Sequence, residues 1–387
     1  MLDYIGQMLD TPRLSAVGAL CTLQFTLANA LSQSYTIPAN TQVGTTDGQL
    51  IFQTTAALTI AAGQTTGTVS AQCTTAGTVG NGYAVNQVTV LIQPNTLIGS
   101  VTNTTVTASG SEVETDDHYR SRIQLAPNQF STAGPTGAYK YYAMSANSSV
   151  IDAQVTSPAP GSVSVNILTG PILTQPVAAP NSSGIASSAL ILSVLDALSA
   201  NNVRPLTDTV NVYPVVEVDY QITGTVTTYA DADITSTMAA ANTAAVSLAL
   251  DLANQIERDL VPSQWVASIS VAGVYEATIT IAANIYSSGS WQANNVYAIG
   301  TVIVDSNGHV QEVTAVTSDA KSGGSAPAWA TSVGNTTTDN HVTWTMIATS
   351  TTITPQGDGR VLLSTGQWPN CTSISLTQVT GTELENG

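Results

Sequence analysis

Between residues 20 and 110 apolar and polar positions alternate, as in Leu23, Phe25 and Leu27, the two-residue period of a strand with one buried face. The segment 35–41 breaks at Pro38 and Asn40, and Gly48, Gly63, Gly77, Gly80 and Gly82 divide the chain beyond it into further short strands. Residues 1–110 are therefore expected to form a β-rich N-terminal domain. Near residue 111 the pattern changes. Glu112, Glu114, Asp116 and Asp117 precede Arg120, Arg122, Ile123 and Leu125, acids before cations as a helix dipole favours, with Pro127 as the stop. A second helix is predicted over 136–148, strands over 151–155 and 163–168 around a Pro/Gly turn at 157–161, and a third helix over 185–200.

Strands are next expected around 209–212 and 216–228. The clearest helical stripe runs over 233–260, where Ile234, Met238, Ala241, Ala245, Leu248, Leu252 and Ile256 recur every three or four residues. Pro262 interrupts it, Ser263 is expected to cap a short helix through Ile269, and 275–281 reads as a strand. Residues 289–350 stand apart, because Gly/Ser-rich stretches flank them and they hold Trp291, Trp329 and Trp344, three of the chain's five tryptophans. The expected class is multidomain α+β, since helices and strands mix without a regular βαβ rhythm. Its parts are the β-rich domain (1–110), a central α+β domain (111–214), a C-terminal α+β domain (215–288 with 351–387), and a small all-β module (289–350) inserted in the last. The Pro/Gly/Ser-containing segments 157–161 and 171–184 are expected to act as joints.

Composition narrows the function. The chain has 387 residues, 8 Lys+Arg against 25 Asp+Glu, a net charge of −17, and only 9% charged residues, where an average domain has about 25%. So few cations exclude a surface built to neutralise nucleic-acid phosphates or to hold an anionic membrane. Disorder is excluded by 43% hydrophobic residues. Polarity resides in Thr, Ser, Asn and Gln, which suits pleated surface facing protein neighbours. Cys21, Cys73 and Cys371 are odd in number and widely spaced, so no disulfide framework is implied. The start lacks a basic segment followed by an apolar core, and the longest apolar run, 189–200, contains Ser193 and Asp196. A soluble protein of a reducing compartment is expected.

Candidate chemistry is sparse. Gly77-x-x-Gly80-x-Gly82 has the wrong spacing for a dinucleotide fingerprint and is read as a turn. Asp116-Asp117-His118 is read as a helix start, one histidine being too few for a metal set. His309 and His341, with Asp305 and Asp339 nearby, could meet across the small module and hold a metal, but surface loops of this composition are common. No catalytic, cofactor-binding or metal-binding residue is assigned. Trp291, Tyr297, Trp329 and Trp344 either fill the module's own core or form a platform for sugar rings.

The run Gly110-Ser-Glu-Val-Glu114-Thr-Asp-Asp117-x-x-Arg120-x-Arg122-Ile123, then Leu125-Ala-Pro127, Phe130-Ser131 and Ala133-Gly134, carries a resemblance. So do Val150-x-Asp152-Ala153, Ser157-Pro158-x-Pro160-Gly161 and Val203-Arg204-Pro205-Leu206-Thr207-Asp208. In this order they resemble the baseplate J-like family, baseplate wedge proteins of contractile-tailed bacteriophages, over roughly residues 10–285 and 353–380. The module at 289–350 departs from simple members and is similar to small carbohydrate-binding-like modules of phage tail proteins. The resemblance implies a non-enzymatic structural subunit without cofactors, located in the virion tail baseplate after assembly in the host cytoplasm. Its implied partners are other wedge subunits, copies of itself, the tail hub and spike, the sheath-initiating layer and tail fibres, with neither nucleic acid nor membrane. Contact with the host would rearrange the ring and release the sheath. The module leaves a second reading, a receptor-contacting protein that grips host polysaccharide. With so few arginines, Arg120 and Arg122 are expected to pair with Asp or Glu, internally or across an interface, and Arg204 and Asp208 are further candidates for such ion pairs.

Overall fold

In the computed structural model, residues 1–131, 134–170, 184–201, 203–317 and 319–384 are described. They fall into two compact units, residues 1–150 with 189–206 and residues 151–188 with 207–387. The segment 111–214 is shared between them, its helices belonging to the first unit and its strands to the second.

The first unit opens with helix α1 (Leu2–Met8) and continues into strands β1 (Leu20–Leu27), β2 (Tyr35–Ile37), β3 (Gln42–Thr45), β4 (Ile51–Thr54), β5 (Leu58–Ile60), β6 (Thr66–Cys73), β7 (Val88–Leu91) and β8 (Ile98–Asn103). Six of them form one antiparallel sheet in the order β7-β3-β4-β6-β1-β8, and β2 pairs with β5. Alternation turns Cys21, Leu23, Phe25 and Leu27 inward to meet Val43, Phe52 and Val88. The two end strands, β7 and β8, come side by side, so the sheet nearly closes into a barrel. Asn103 seals this seam. Its buried amide oxygen accepts from the Gln87 and Val88 amides at 2.9 and 2.8 Å, and its Nδ2 donates to the Ala84 and Thr105 carbonyls at 2.8 Å each. The glycine-rich segment is a turn, with Gly77 at φ +105° and a 3-10 turn over Thr78–Gly80.

Helices α2 (Asp116–Leu125), α3 (Thr136–Ala146) and α4 (Ser188–Ser199) complete the unit. Thr115 caps α2 by accepting from the His118 amide at 3.3 Å, and Asp116 and Asp117 occupy its first turn.

In the second unit β9 (Val150–Ala159) and β10 (Ser162–Thr169) meet at a tight turn through Gly161, and β11 (Thr209–Pro214) lies parallel to β10. Residues 157–161 are thus the tip of two neighbouring strands rather than a joint between domains, and all but Gly184 of the other expected joint, 171–184, lies outside the described residues. Strand β12 (Val216–Thr228) leads to α5 (Ile234–Leu252), α6 (Pro262–Ile269) and β13 (Val274–Ile285). The helix expected over 233–260 ends at Leu252. Asp152 captures the Ile256 amide at 3.0 Å and Glu257 takes φ +59°, neither compatible with a continuing helix. At α6 Pro262 fills the first turn and Val261, not Ser263, is the N-cap.

Strands β14 (Val302–Val304), β15 (Val310–Val316), β16 (Thr336–Asp339) and β17 (Val342–Ala348) make a separate sheet in the order β14-β15-β17-β16. The chain then returns through β18 (Thr352–Ile353), which pairs with the end of β13, and finishes in β19 (Gln367–Thr380), parallel to β12. The resulting sheet, β18-β13-β12-β19, buries Val218, Tyr220 and Ile222 against Ala241, Ala245 and Trp265 of α5 and α6. Trp265 is fully buried, edge-on to Tyr220 at 6.0 Å.

Trp265→Ala leaves a large cavity and is expected to cost about 3–5 kcal/mol, read by urea unfolding followed by tryptophan fluorescence. All five tryptophans lie in the second unit, so a loss below about 1 kcal/mol would contradict the placement of Trp265 at its core.

Candidate functional site

The most concentrated chemistry in the first unit surrounds Glu114, whose side chain is fully buried. Its carboxylate receives Arg122 Nε at 2.6 Å and Nη2 at 2.8 Å, a two-pronged ion pair. His118 Nδ1 lies 2.6 Å from the same Oε1, and the Leu14 amide donates to Oε2 at 2.9 Å. Arg122 continues outward to the Pro12 carbonyl at 2.7 Å and Ser145 Oγ at 3.0 Å, and His118 Nε2 reaches the Val150 carbonyl at 2.7 Å. One carboxylate thereby ties the chain at 12–14 to α2, α3 and the end of the unit. Burial alone would raise the Glu114 carboxyl. Arg122, His118 and the Leu14 amide outweigh it and hold the group down at about 2.

Arg13 extends the cluster at the surface. It donates to the Glu114 carbonyl at 2.8 Å, to Asp3 at 2.9 Å and to Asp116 at 2.7 Å, with its guanidinium 4.6 Å from the centroid of the Tyr119 ring. Arg120 pairs with Asp117 one turn away on the exposed face of α2. Arg122 and Arg120 therefore have different environments, one buried and one solvated. Arg204 Nε donates to the Ser199 carbonyl at 3.1 Å, and Asp208 accepts from Thr207 Oγ1 at 3.4 Å.

In the small module the aromatic residues pack on one another. Trp344 is fully buried, with Tyr297 and Trp329 edge-on to it at 4.8 and 5.7 Å, and all three are interior. A sugar ring could not stack on them without opening the module. Trp291 is half-buried, and its Nε1 donates to Asp339 Oδ2 at 2.7 Å, the oxygen that also accepts from Trp344 at 3.3 Å. The aspartate–histidine set considered for a metal is dispersed. Asp339 serves the tryptophans, His341 lies against Asp319 at 2.6 Å, and Asp305 closes the β14–β15 turn by accepting from the Asn307 and His309 amides. Among the described residues no three His, Cys, Asp or Glu side chains gather as metal ligands.

Two residues escaped the sequence reading. Glu114 looked like one more acid at a helix start; its spacing of four to His118 and eight to Arg122 was the available signal. Glu312 lies mid-strand in β15 between Val302 and Thr345, and burial pushes its carboxyl up to about 7. A lone acid in the apolar run 310–316 was its signature. The module packs there against the end of β11, where a side chain at Gly300 would come within 2.0 Å of the Pro214 ring.

Comparison with known families matches residues 22–110 to the baseplate J-like protein barrel domain and residues 131–214 to the baseplate J-like central domain. Along these two stretches the chain is similar to the barrel and central domains of baseplate J-like proteins, in that order. The matched barrel coincides with the nearly closed sheet sealed by Asn103. Baseplate protein J of Escherichia phage P2 is 33% identical over 172 residues, 44% of this chain and 53% of the relative, so the alignment spans about half the length of that curated relative. A chain of the anti-feeding prophage baseplate, seen by cryo-EM and six-fold symmetrised, overlaps 72% of this chain and 75% of its own length at a TM-score of 0.32 and 13% identity.

Glu114→Gln is expected to destabilise the first unit by about 3–5 kcal/mol, because it strands Arg122 in the interior. Since no tryptophan lies in that unit, the loss should appear by circular dichroism and leave the tryptophan transition unmoved. Glu114's carboxyl lies below its ordinary 4.5, so its contribution of about 3 kcal/mol is present above pH about 4.5 and is lost as pH falls towards 2. Glu312 behaves oppositely. Its raised carboxyl favours the folded module below pH about 4.5, and that stability is lost as pH rises through 7. Glu312→Gln should therefore flatten the tryptophan-detected stability between pH 4.5 and 7; an unchanged slope would contradict the assignment.

Proposed function

We propose that this chain is a structural subunit of a phage tail baseplate, part of the wedge ring around the hub, and that it works through its interfaces rather than through a reaction. The observation that carries this reading is the succession of a baseplate J-like barrel domain and a baseplate J-like central domain along one chain. The phage P2 relative adds weight over 44% of the chain. The physical character of the surface agrees. Charges are few, and Tyr4 (70%), Met8 (73%) and Phe130 (70%) stand exposed in the first unit, where a covering neighbour would shelter them.

In this reading the subunit occupies the virion baseplate, touches neighbouring wedge subunits and the layer that starts the sheath, and passes on the rearrangement triggered when fibres engage the host. Movement of intact packed units is the mechanism by which it would do so. The burial of Tyr297, Trp329 and Trp344 argues for these three as the core of a packed module rather than as a sugar platform.

A phage genome deleted for this chain is expected to yield no complete baseplates and no plaques. Supplying the wild-type chain or Arg120→Glu should restore both, because Arg120 forms a solvated pair worth little, whereas Arg122→Glu should not, because it sets a second carboxylate against buried Glu114. Normal plaque formation by the deletion would overturn the proposal.

A further inference from the structure

The turn between β14 and β15 gathers polar side chains at the edge of an apolar core. The Asp305 side chain is wholly out of water, and its two oxygens are used differently. Oδ1 accepts from the Asn307 and His309 amides at 2.7 and 3.0 Å and so shapes the turn. Oδ2 faces Gln311, whose Nε2 lies 2.8 Å from it and 3.3 Å from the Ala330 carbonyl oxygen. His309 Nδ1 stands 3.6 Å from the same Oδ2.

Two atoms at this point lack partners. Gln311 is fully buried, opposite Ile303 on β14 and Met346 on β17, yet its Oε1 accepts no hydrogen bond. The buried Nδ1 of His309 makes none either. An orphaned amide oxygen in an apolar interior is costly, and native cores rarely keep one without a use. The His309–Asp305 spacing indicates that use. At 3.6 Å it is too long for a hydrogen bond, whereas two ligands about 2.0–2.2 Å from one tetrahedral zinc ion lie roughly 3.3–3.6 Å apart.

The geometry points to a metal site: a divalent transition-metal ion, zinc above others, held by Asp305 Oδ2, His309 Nδ1 and the amide oxygen of Gln311. An imidazole with oxygen donors and no thiolate suits zinc, whereas calcium and magnesium take oxygen ligands. The Gln311 amide can turn over to present oxygen in place of nitrogen. That sets the oxygen 2.8 Å from Asp305 Oδ2 and beside the Ala330 carbonyl, a fourth donor. The His309 side chain is 21% exposed, which leaves the ion a path in from solvent. The ion joins the turn 305–309, β15 and residue 330, and so staples a module too small to rely on its core alone. His341 takes no part, since it lies against Asp319.

Zinc titration of the full chain after chelator treatment tests this. One equivalent is expected to bind, read by calorimetry, and to raise the tryptophan-detected unfolding midpoint, three of the five tryptophans lying in the module. His309→Ala should weaken binding at least about tenfold, whereas His341→Ala should leave the affinity unchanged. Gln311→Glu is the second variant. It sets a buried carboxylate against Asp305, so the zinc-free module should unfold earlier than wild type, and zinc should restore it. The proposal falls if zinc leaves the wild-type midpoint unmoved, if His309→Ala binds as wild type does, if binding is lost with His341→Ala instead, or if zinc fails to restore Gln311→Glu.

Discussion

Glu114 and Arg122 hold the first unit together. The carboxylate is out of water, and its two oxygens meet the guanidinium, an imidazole and a backbone amide from chain segments about one hundred residues apart. An acid buried this deeply persists as a charge only if every lone pair finds a donor. That requirement fixes where residues 12–14 run, how α2 is turned, and where α3 must lie for Ser145 to meet the arginine. In a chain with eight cations and twenty-five acids, committing one arginine to the interior sets it apart from the solvated Arg120–Asp117 pair two residues earlier.

Elsewhere single polar side chains do comparable work. Asn103 closes the barrel seam with four hydrogen bonds and no charge, and Asp339 draws two indole nitrogens together to fix the core of the small module. The acids thus divide into a few buried side chains, of which Glu114 is held ionised by its partners and Glu312 is pushed up by burial, and many exposed ones. Surface regions without charge then stand out against an acidic background. The buried polar groups specify the fold, and the uncharged surfaces are where other proteins can come close.

Much of this was legible from the residues. The alternation of Leu23, Phe25 and Leu27 marked the barrel strands, and the acids before Arg122 marked α2 within four residues of its start. What the residues missed or left open depended on distant partners. No local feature tells Ile256 to leave the apolar stripe of α5; the Asp152 carboxylate, more than one hundred residues earlier, does so. Aromatic residues in a small module look alike whether they face inward or outward, and only the stacking of Tyr297 and Trp329 on Trp344 decides. Glu114 could be seen as an acid near a helix start, but its burial arises from residues 12–14 folding back upon it. The likeness to baseplate J-like proteins was readable because it rests on the order of short motifs, which survives where single contacts cannot be inferred.

The central claim is that this chain is a baseplate part whose function lies in being held by its neighbours. A cryo-EM reconstruction of the intact particle tests it most directly. The account predicts density for the barrel, with its seam at Asn103, repeated in the ring of the tail baseplate and contacted by other subunits. A complete baseplate whose density contains no copy of this chain would contradict it.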